Sequence, residues 1–191
     1  YLLARCSLNL FVMDEAMNMF LMVVGAFTII AGVMMALFQH NMKRLLGYHA
    51  VSQVGYMVLG IGTGLPIGIA GGIFHMLNNA LYKSCLFLTA GNVEYRAKTV
   101  ELDKLGGLAR LMPYTYIAAL ISSLSISGVP PFNGFVSKWM IYQGLIQSAG
   151  SSEYVVKRGL VLLCLAAAKF GSGLTLATFM KLLHAPYMGQ S

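Results

Sequence analysis

Charge is scarce in this sequence. Of its 191 residues 10% are charged, and only 6 are Asp or Glu. Soluble domains carry about 25% charged residues. The deficit excludes an ordinary soluble surface and points to a chain whose solvent is lipid. Cysteine is sparse too. Cys6, Cys85 and Cys164 form no CxxC pair and stand at no ligand spacing from a histidine, which excludes a disulfide framework and a zinc site. Catalytic signatures are missing: there is no GxSxG, Walker A, GxGxxG or HExxH, and no paired carboxylate inside an apolar run. Nothing supports His49 and His75 as a haem pair. The expectation is a chain with no metal and no cofactor of its own. The first residue is Tyr1, and no charged segment with a short apolar stretch precedes the first long apolar run. That reads as a fragment of a longer protein, without a signal peptide.

What is present is oil, 58% of the residues. Met17 to Phe38 give 22 uncharged positions, enough to cross about 30 Å of hydrocarbon at about 1.5 Å per residue. A second apolar helix is predicted from Leu46 to Gly62, and a turn at "GTGLP" leads to a third from Ile67 to Asn92. A polar connector, Glu94 to Met112, follows as a surface loop with a short amphipathic turn. Then come two short pieces, Pro113–Ser127 and Phe135–Gln147, on either side of "GVPPFNG" with Gly128, Pro130, Pro131 and Gly134. Each is below the roughly 17 residues of a full crossing. They read either as one discontinuous helix, the kind of break that marks ion sites in transporters, or as two crossings joined by a re-entrant corner. A last apolar run extends from Gly159 to Leu183. The fold class is all-α: a single polytopic transmembrane bundle over residues 1–191, with five or six apolar segments, one of them discontinuous.

The net charge is +7. Most basic residues cluster in connectors, which reads as topology signal and lipid headgroup contact rather than nucleic-acid binding. On the discontinuous-helix reading, Lys43, Arg44, Arg96, Lys98, Lys104, Arg110 and Lys181 share one side, and Arg5, Lys157 and Arg158 share the other. The positive-inside rule puts the first set in the cytoplasm. Two crossings would instead move Lys157 and Arg158 inside and Lys181 outside, a steeper bias. Both readings place the two connectors inside. The membrane expected is a prokaryotic cell membrane or an organelle inner membrane.

Three lysines remain inside apolar runs: Lys83, Lys138 and Lys169. A charge at the centre of a membrane helix costs about 2.5–3.5 kcal/mol on insertion scales. His75, Asn79 and Lys83 are spaced by four and form a slanted stripe on one helix face. Histidine exchanges protons near neutral pH, a lysine in low dielectric can release and rebind one, and Asn79 can orient water. The bland alternative is interhelical hydrogen bonding. His49, Ser52, Gln53 and Tyr56, at i, i+3, i+4 and i+7, make a second polar stripe. His49 either continues the row or is a packing histidine. Lys138 lies just past the break, as a proton station or a snorkelling side chain. Lys169 is left open between snorkelling and a carboxylate in a neighbouring subunit.

Four blocks, "ALFQHNMKRLLGYHAVSQVGYMVLGIG", "FHMLNNALYKSCLFLTAG", "LDKLGGLARLMP" and "SGVPPFNGFVSKWMIYQ", closely resemble the antiporter-like subunits of respiratory complex I. That family also includes Mrp-type cation/proton antiporters and the membrane arms of group 4 hydrogenases and formate hydrogenlyases. The resemblance implies the second of two inverted repeats, preceded by the tail of an earlier helix, "YLLAR". It implies a proton pathway through His75, Asn79-bound water, Lys83 and Lys138, and it favours the single broken helix. Asn79 stands where many relatives have histidine, and His49 where many have serine. The implied function is proton translocation in a redox-driven complex, or alternatively Na⁺/H⁺ antiport without redox coupling. The implied partners are other membrane subunits, the lipid bilayer, and H⁺ or Na⁺.

Overall fold

The computed structural model describes residues 2–7, 14–151 and 154–189. Tyr1 of the "YLLAR" tail and residues 190–191 of the last segment lie outside the described residues. The described chain is all-α, with no sheet and a single isolated bridge between Asn41 and Glu101. A short turn, α1 (Leu2–Arg5), precedes α2 (Glu15–Leu37). Asp14 caps α2 by accepting from the Glu15 N–H. The next helix, α3 (Met42–Gly62), starts on Asn41, whose side chain accepts from the Lys43 and Arg44 N–H groups, satisfying two donors left free at a helix start. Proline at the first position opens both α4 (Pro66–Ala97) and α6 (Pro113–Ser127), where its missing N–H costs nothing. Between them the connector folds into a 3₁₀ turn (Leu102–Lys104) and α5 (Leu108–Leu111), burying Leu102, Leu105 and Leu108. The chain ends with α7 (Asn133–Gly150) and α8 (Val155–Leu183).

Two corrections to the sequence reading arise here. Only two described helical stretches, Glu15–Leu37 and Val155–Met188, are long and apolar enough to cross a membrane by length and composition, against the five or six segments expected. The reason is dilution: α3 begins with Lys43 and Arg44 and carries His49 and Gln53, α4 carries His75, three asparagines and Lys83, and α6 has 15 residues. A discontinuous helix also occurs where none was expected. The last helix, α8, runs directly into a π-helical turn, His184–Met188, whereas α6 and α7 are separate helices divided at Gly128–Phe132. Gly128, at φ +79°, ends α6 in the left-handed region that only glycine enters freely.

Contacts define two ends of the bundle. At one end Lys157 pairs with Glu15. At the other, Lys181 Nζ donates to the Leu37 and Gln39 carbonyls, both at 3.1 Å. Helices α2 and α8 are therefore parallel. The two basic connectors meet at the Lys181 end: Met42 N–H donates to Val100 O at 2.9 Å and Leu102 N–H to His40 O at 2.8 Å. Lys43 adds an ion pair to Glu94 at 2.5 Å.

The buried apolar side chains form two clusters. One, near the connectors, holds Met42, Leu45, Leu86, Ala90, Phe179 and Leu182. The other, toward the Glu15 end, holds Ile29, Tyr56, Leu59, Ile141, Leu145 and Leu165. Along α3 and α8 the polar buried residues fall between the segments that feed the two clusters, and on α7 Ser137 and Lys138 precede the segment that feeds the second. A polar layer thus crosses the bundle at mid-height.

Candidate functional site

That layer is built from α3, α4, α7, α8 and the end of α6. His75 is fully buried on α4. Its Nε2 lies 3.0 Å from Gln53 Oε1 on α3, and its Nδ1 lies 2.9 Å from Ser137 Oγ on α7. The Ser137 hydroxyl donates to Gly134 O at 3.2 Å. With that hydroxyl so placed, both ring nitrogens face acceptors, the arrangement that suits an imidazolium. Turning the Ser137 hydroxyl toward Nδ1 suits the neutral ring. Both protonation states of His75 can be hydrogen-bonded in place.

Lys138 follows Ser137 on α7 and is buried. Its Nζ donates to Ile126 O at 2.9 Å, Ser127 O at 3.2 Å and Ser172 Oγ at 3.0 Å. The two carbonyls are among the last of α6. The Gly128 N–H caps Leu124 and Ser125 instead, so the ammonium takes the oxygens that the helix end leaves over. It also sits at the negative end of the α6 dipole and 4.9 Å over the Tyr56 ring. This is a buried cation site made by the helix break.

Lys83 is buried on α4 and donates to Leu46 O of α3 at 2.5 Å. It makes no hydrogen bond with His75. Their link runs along α3, where Leu46, His49 and Gln53 lie on one face. His49 is fully buried, its ring 4.7 Å from that of Phe179, and both of its nitrogens lack a protein partner. The same holds for the buried Tyr82 hydroxyl, Ser123 Oγ, Gln53 Nε2 and Asn79 Oδ1. Such groups are where internal water bonds in proteins.

The other residues singled out in the sequence divide. Ser52 donates to Ile29 O of α2 at 3.0 Å, and Tyr56 donates to Ala168 O of α8 at 2.6 Å. Ser52 is thus a strut between helices, while Tyr56 both struts and carries the Lys138 contact. Lys169 is exposed on the outside of α8, away from the layer. The helical spacing placed Asn79 rather than Asn78 in the row, yet Asn78 is buried while Asn79 is only half-buried. Asn78 Nδ2 donates to Asn133 O at 3.1 Å, and Asn133 Nδ2 donates back to Asn78 Oδ1 at 2.9 Å. Ser125 donates to Asn133 Oδ1. This clasp ties α4 to both sides of the break. Asn133 inside "PPFNG" was the available signal.

A family described as NADH:quinone oxidoreductase/Mrp antiporter, transmembrane, matches residues 1–166. The chain belongs to this family. It is an integral membrane protein, in keeping with the transmembrane family model and its two long apolar helices. Formate hydrogenlyase subunit 3 of Escherichia coli is 37% identical over 148 residues, covering 72% of this chain and 24% of its own length. A Na⁺/H⁺ antiporter subunit of Alkalihalophilus pseudofirmus is 33% identical, covering 89% of this chain and 32% of its own length. Among solved structures, the Mrp complex from Dietzia sp. superposes over 93% of this chain and 31% of its own matching chain, with a TM-score of 0.83 at 31% identity. The chain spans about a quarter to a third of the length of these three relatives.

Proposed function

We propose that the chain is a proton-conducting portion of a cation/proton antiporter subunit of the Mrp type, working inside a larger membrane assembly. The observation that carries this reading is the mid-height polar layer. A histidine satisfied in either protonation state adjoins a lysine held by the freed carbonyls of a helix break, and a second buried lysine lies on the neighbouring helix. Protons would pass between Lys83 and His75 by way of water held at His49, Gln53 and Asn79, and then through Ser137 to Lys138. Lys138 would exchange with the far side when its ammonium leaves the α6 carbonyls.

On this reading α6 and α7 form one interrupted crossing. Pro113 lies at the connector end, Gly128 at mid-height beside Lys138, and a Cβ on Gly144 would touch Gly68 at the start of α4, near the opposite end. With α2, α3, α4 and α8 this makes five crossings, the arrangement of one inverted repeat. The likeness to an Mrp complex over almost the whole chain supports antiport without a redox partner. A redox-driven assembly is the second reading, favoured by the likeness to a formate hydrogenlyase subunit.

The test uses the full-length protein in its native complex, in inverted membrane vesicles. Lys83→Ala and Lys138→Ala should each lower cation-driven proton flux by tenfold or more, with the complex present at its usual level. Flux unchanged in either variant would sink the pathway. Flux that needs an electron donor rather than a Na⁺ or K⁺ gradient would select the second reading.

A further inference from the structure

Lys169 presents a different problem. It lies in an apolar helix, yet it is exposed on the outer face of α8, with no hydrogen bond or ion pair among the described residues. Its depth follows from its neighbours on the same helix. Lys157 is held by Glu15 at one end of the bundle, and Lys181 is held by the Leu37 and Gln39 carbonyls at the other. Lys169 stands midway between them, about 18 Å of helix from each at about 1.5 Å per residue. With a hydrocarbon core of about 30 Å, that places it near the bilayer centre. A lysine near a helix end reaches the headgroups by snorkelling. From the centre its four methylenes fall far short of the roughly 15 Å needed. An ammonium facing lipid tails there would have no acceptor at all.

The surrounding face is shaped for a neighbour. Ala166, Gly173 and Ala177 lie at −3, +4 and +8 from Lys169, on the same side of the helix, and all are exposed. A Cβ added to Gly173 would meet nothing within 4 Å. Small residues at this spacing allow close approach of another membrane helix.

We infer that the outer face of α8 around Lys169 is an interface for a transmembrane helix of a separate subunit, which presents an Asp or Glu carboxylate to Lys169 at mid-membrane depth. The inference rests on the reading of the chain as one subunit of an assembly. It is independent of the proton pathway on the other side of α8. The carboxylate neutralises the ammonium where lipid cannot, and the small residues let the two backbones come close enough for that contact.

The experiment uses the full-length protein in its purified native complex. A carbodiimide joins an amine to a carboxylate only when the two touch, and mass spectrometry reads the linked peptides. The expected product joins the peptide containing Lys169 to an Asp or Glu of another subunit, and Lys169→Arg abolishes it. Native gels supply the second readout. Lys169→Leu should lower the recovery of intact complex at least fivefold while immunoblots show the subunit still in the membrane. Lys169→Asp should lower it further, and replacing the linked carboxylate residue by lysine should then restore it. A link within the same polypeptide overturns the inference, as does no link together with normal assembly of Lys169→Leu. Since neither readout measures transport, failure here and failure of the proton pathway are distinguishable.

Discussion

Asn78 donates to the Asn133 main-chain carbonyl and accepts from the Asn133 side-chain amide across α4 and the helix break, so a single side-chain to side-chain bond joins the two. Asn78 is buried and Asn133 exposed, so removing the Asn133 amide leaves a buried Asn78 oxygen short of a donor, which costs about 1–3 kcal/mol. We expect Asn78→Ala and Asn133→Ala each to lower thermal stability of the detergent-solubilised full-length protein by that order. The double variant should be little worse than either single one, because the two share one interaction. Additive losses would show that the clasp is not a unit. The two asparagines at 78 and 79 are chemically alike and adjacent in sequence. Helical spacing alone ties Asn79 to His75 and Lys83. The structure buries Asn78 instead, because the break that needs its amide lies on that side of α4. His75 and Lys138 were legible as isolated polar residues in oil. Their partners were not, since Ser137, Ser172 and the free carbonyls of Ile126 and Ser127 have no signature of their own.

Helices α2 and α3 meet backbone to backbone. A Cβ at Gly55 would lie 2.8 Å from Gly25 O and 2.8 Å from Ile29 N, and one at Gly25 would lie 2.7 Å from Leu59 N. These contacts are with main-chain atoms, which cannot swing aside. The prediction is that Gly55→Leu pushes α2 off α3 and reduces the folded yield of the full-length protein several-fold, as measured by monodispersity in detergent. Gly47→Leu, at a position where nothing lies within 4 Å, should behave as the unaltered protein. Equal behaviour of the two variants would mean that the close approach is not needed. Element positions were largely readable: Pro113–Ser127 forms as expected, and the expected Phe135–Gln147 grows to Asn133–Gly150 because the break is short. Membrane spanning was less readable, because the polar stripes that make the site also dilute the apolar signal of α3 and α4.

Across the whole molecule, the layer of polar side chains lies between two apolar clusters, and the basic connectors lie together at one end. That asymmetry sets an orientation that labelling can read. With α6 and α7 as one interrupted crossing, Lys98→Cys and Arg158→Cys should react with a membrane-impermeant maleimide from opposite sides, Lys98→Cys from the cytoplasmic one. Reaction of both from one side would require two crossings and would place Lys181 across the membrane from its observed carbonyl partners, those of Leu37 and Gln39. By itself the sequence determined the membrane class, the places of the helices, the presence of costly buried lysines and the family. Each of these depends on local composition or on short contiguous blocks. Only the tertiary structure decided which polar residues meet, that His49 stands between two lysines without a protein partner, and that Lys83 and Lys138 face inward while Lys169 faces out. The physical reason is that hydropathy reports the cost of burying a charge but not its direction. The direction is set by which helix faces another across the bundle.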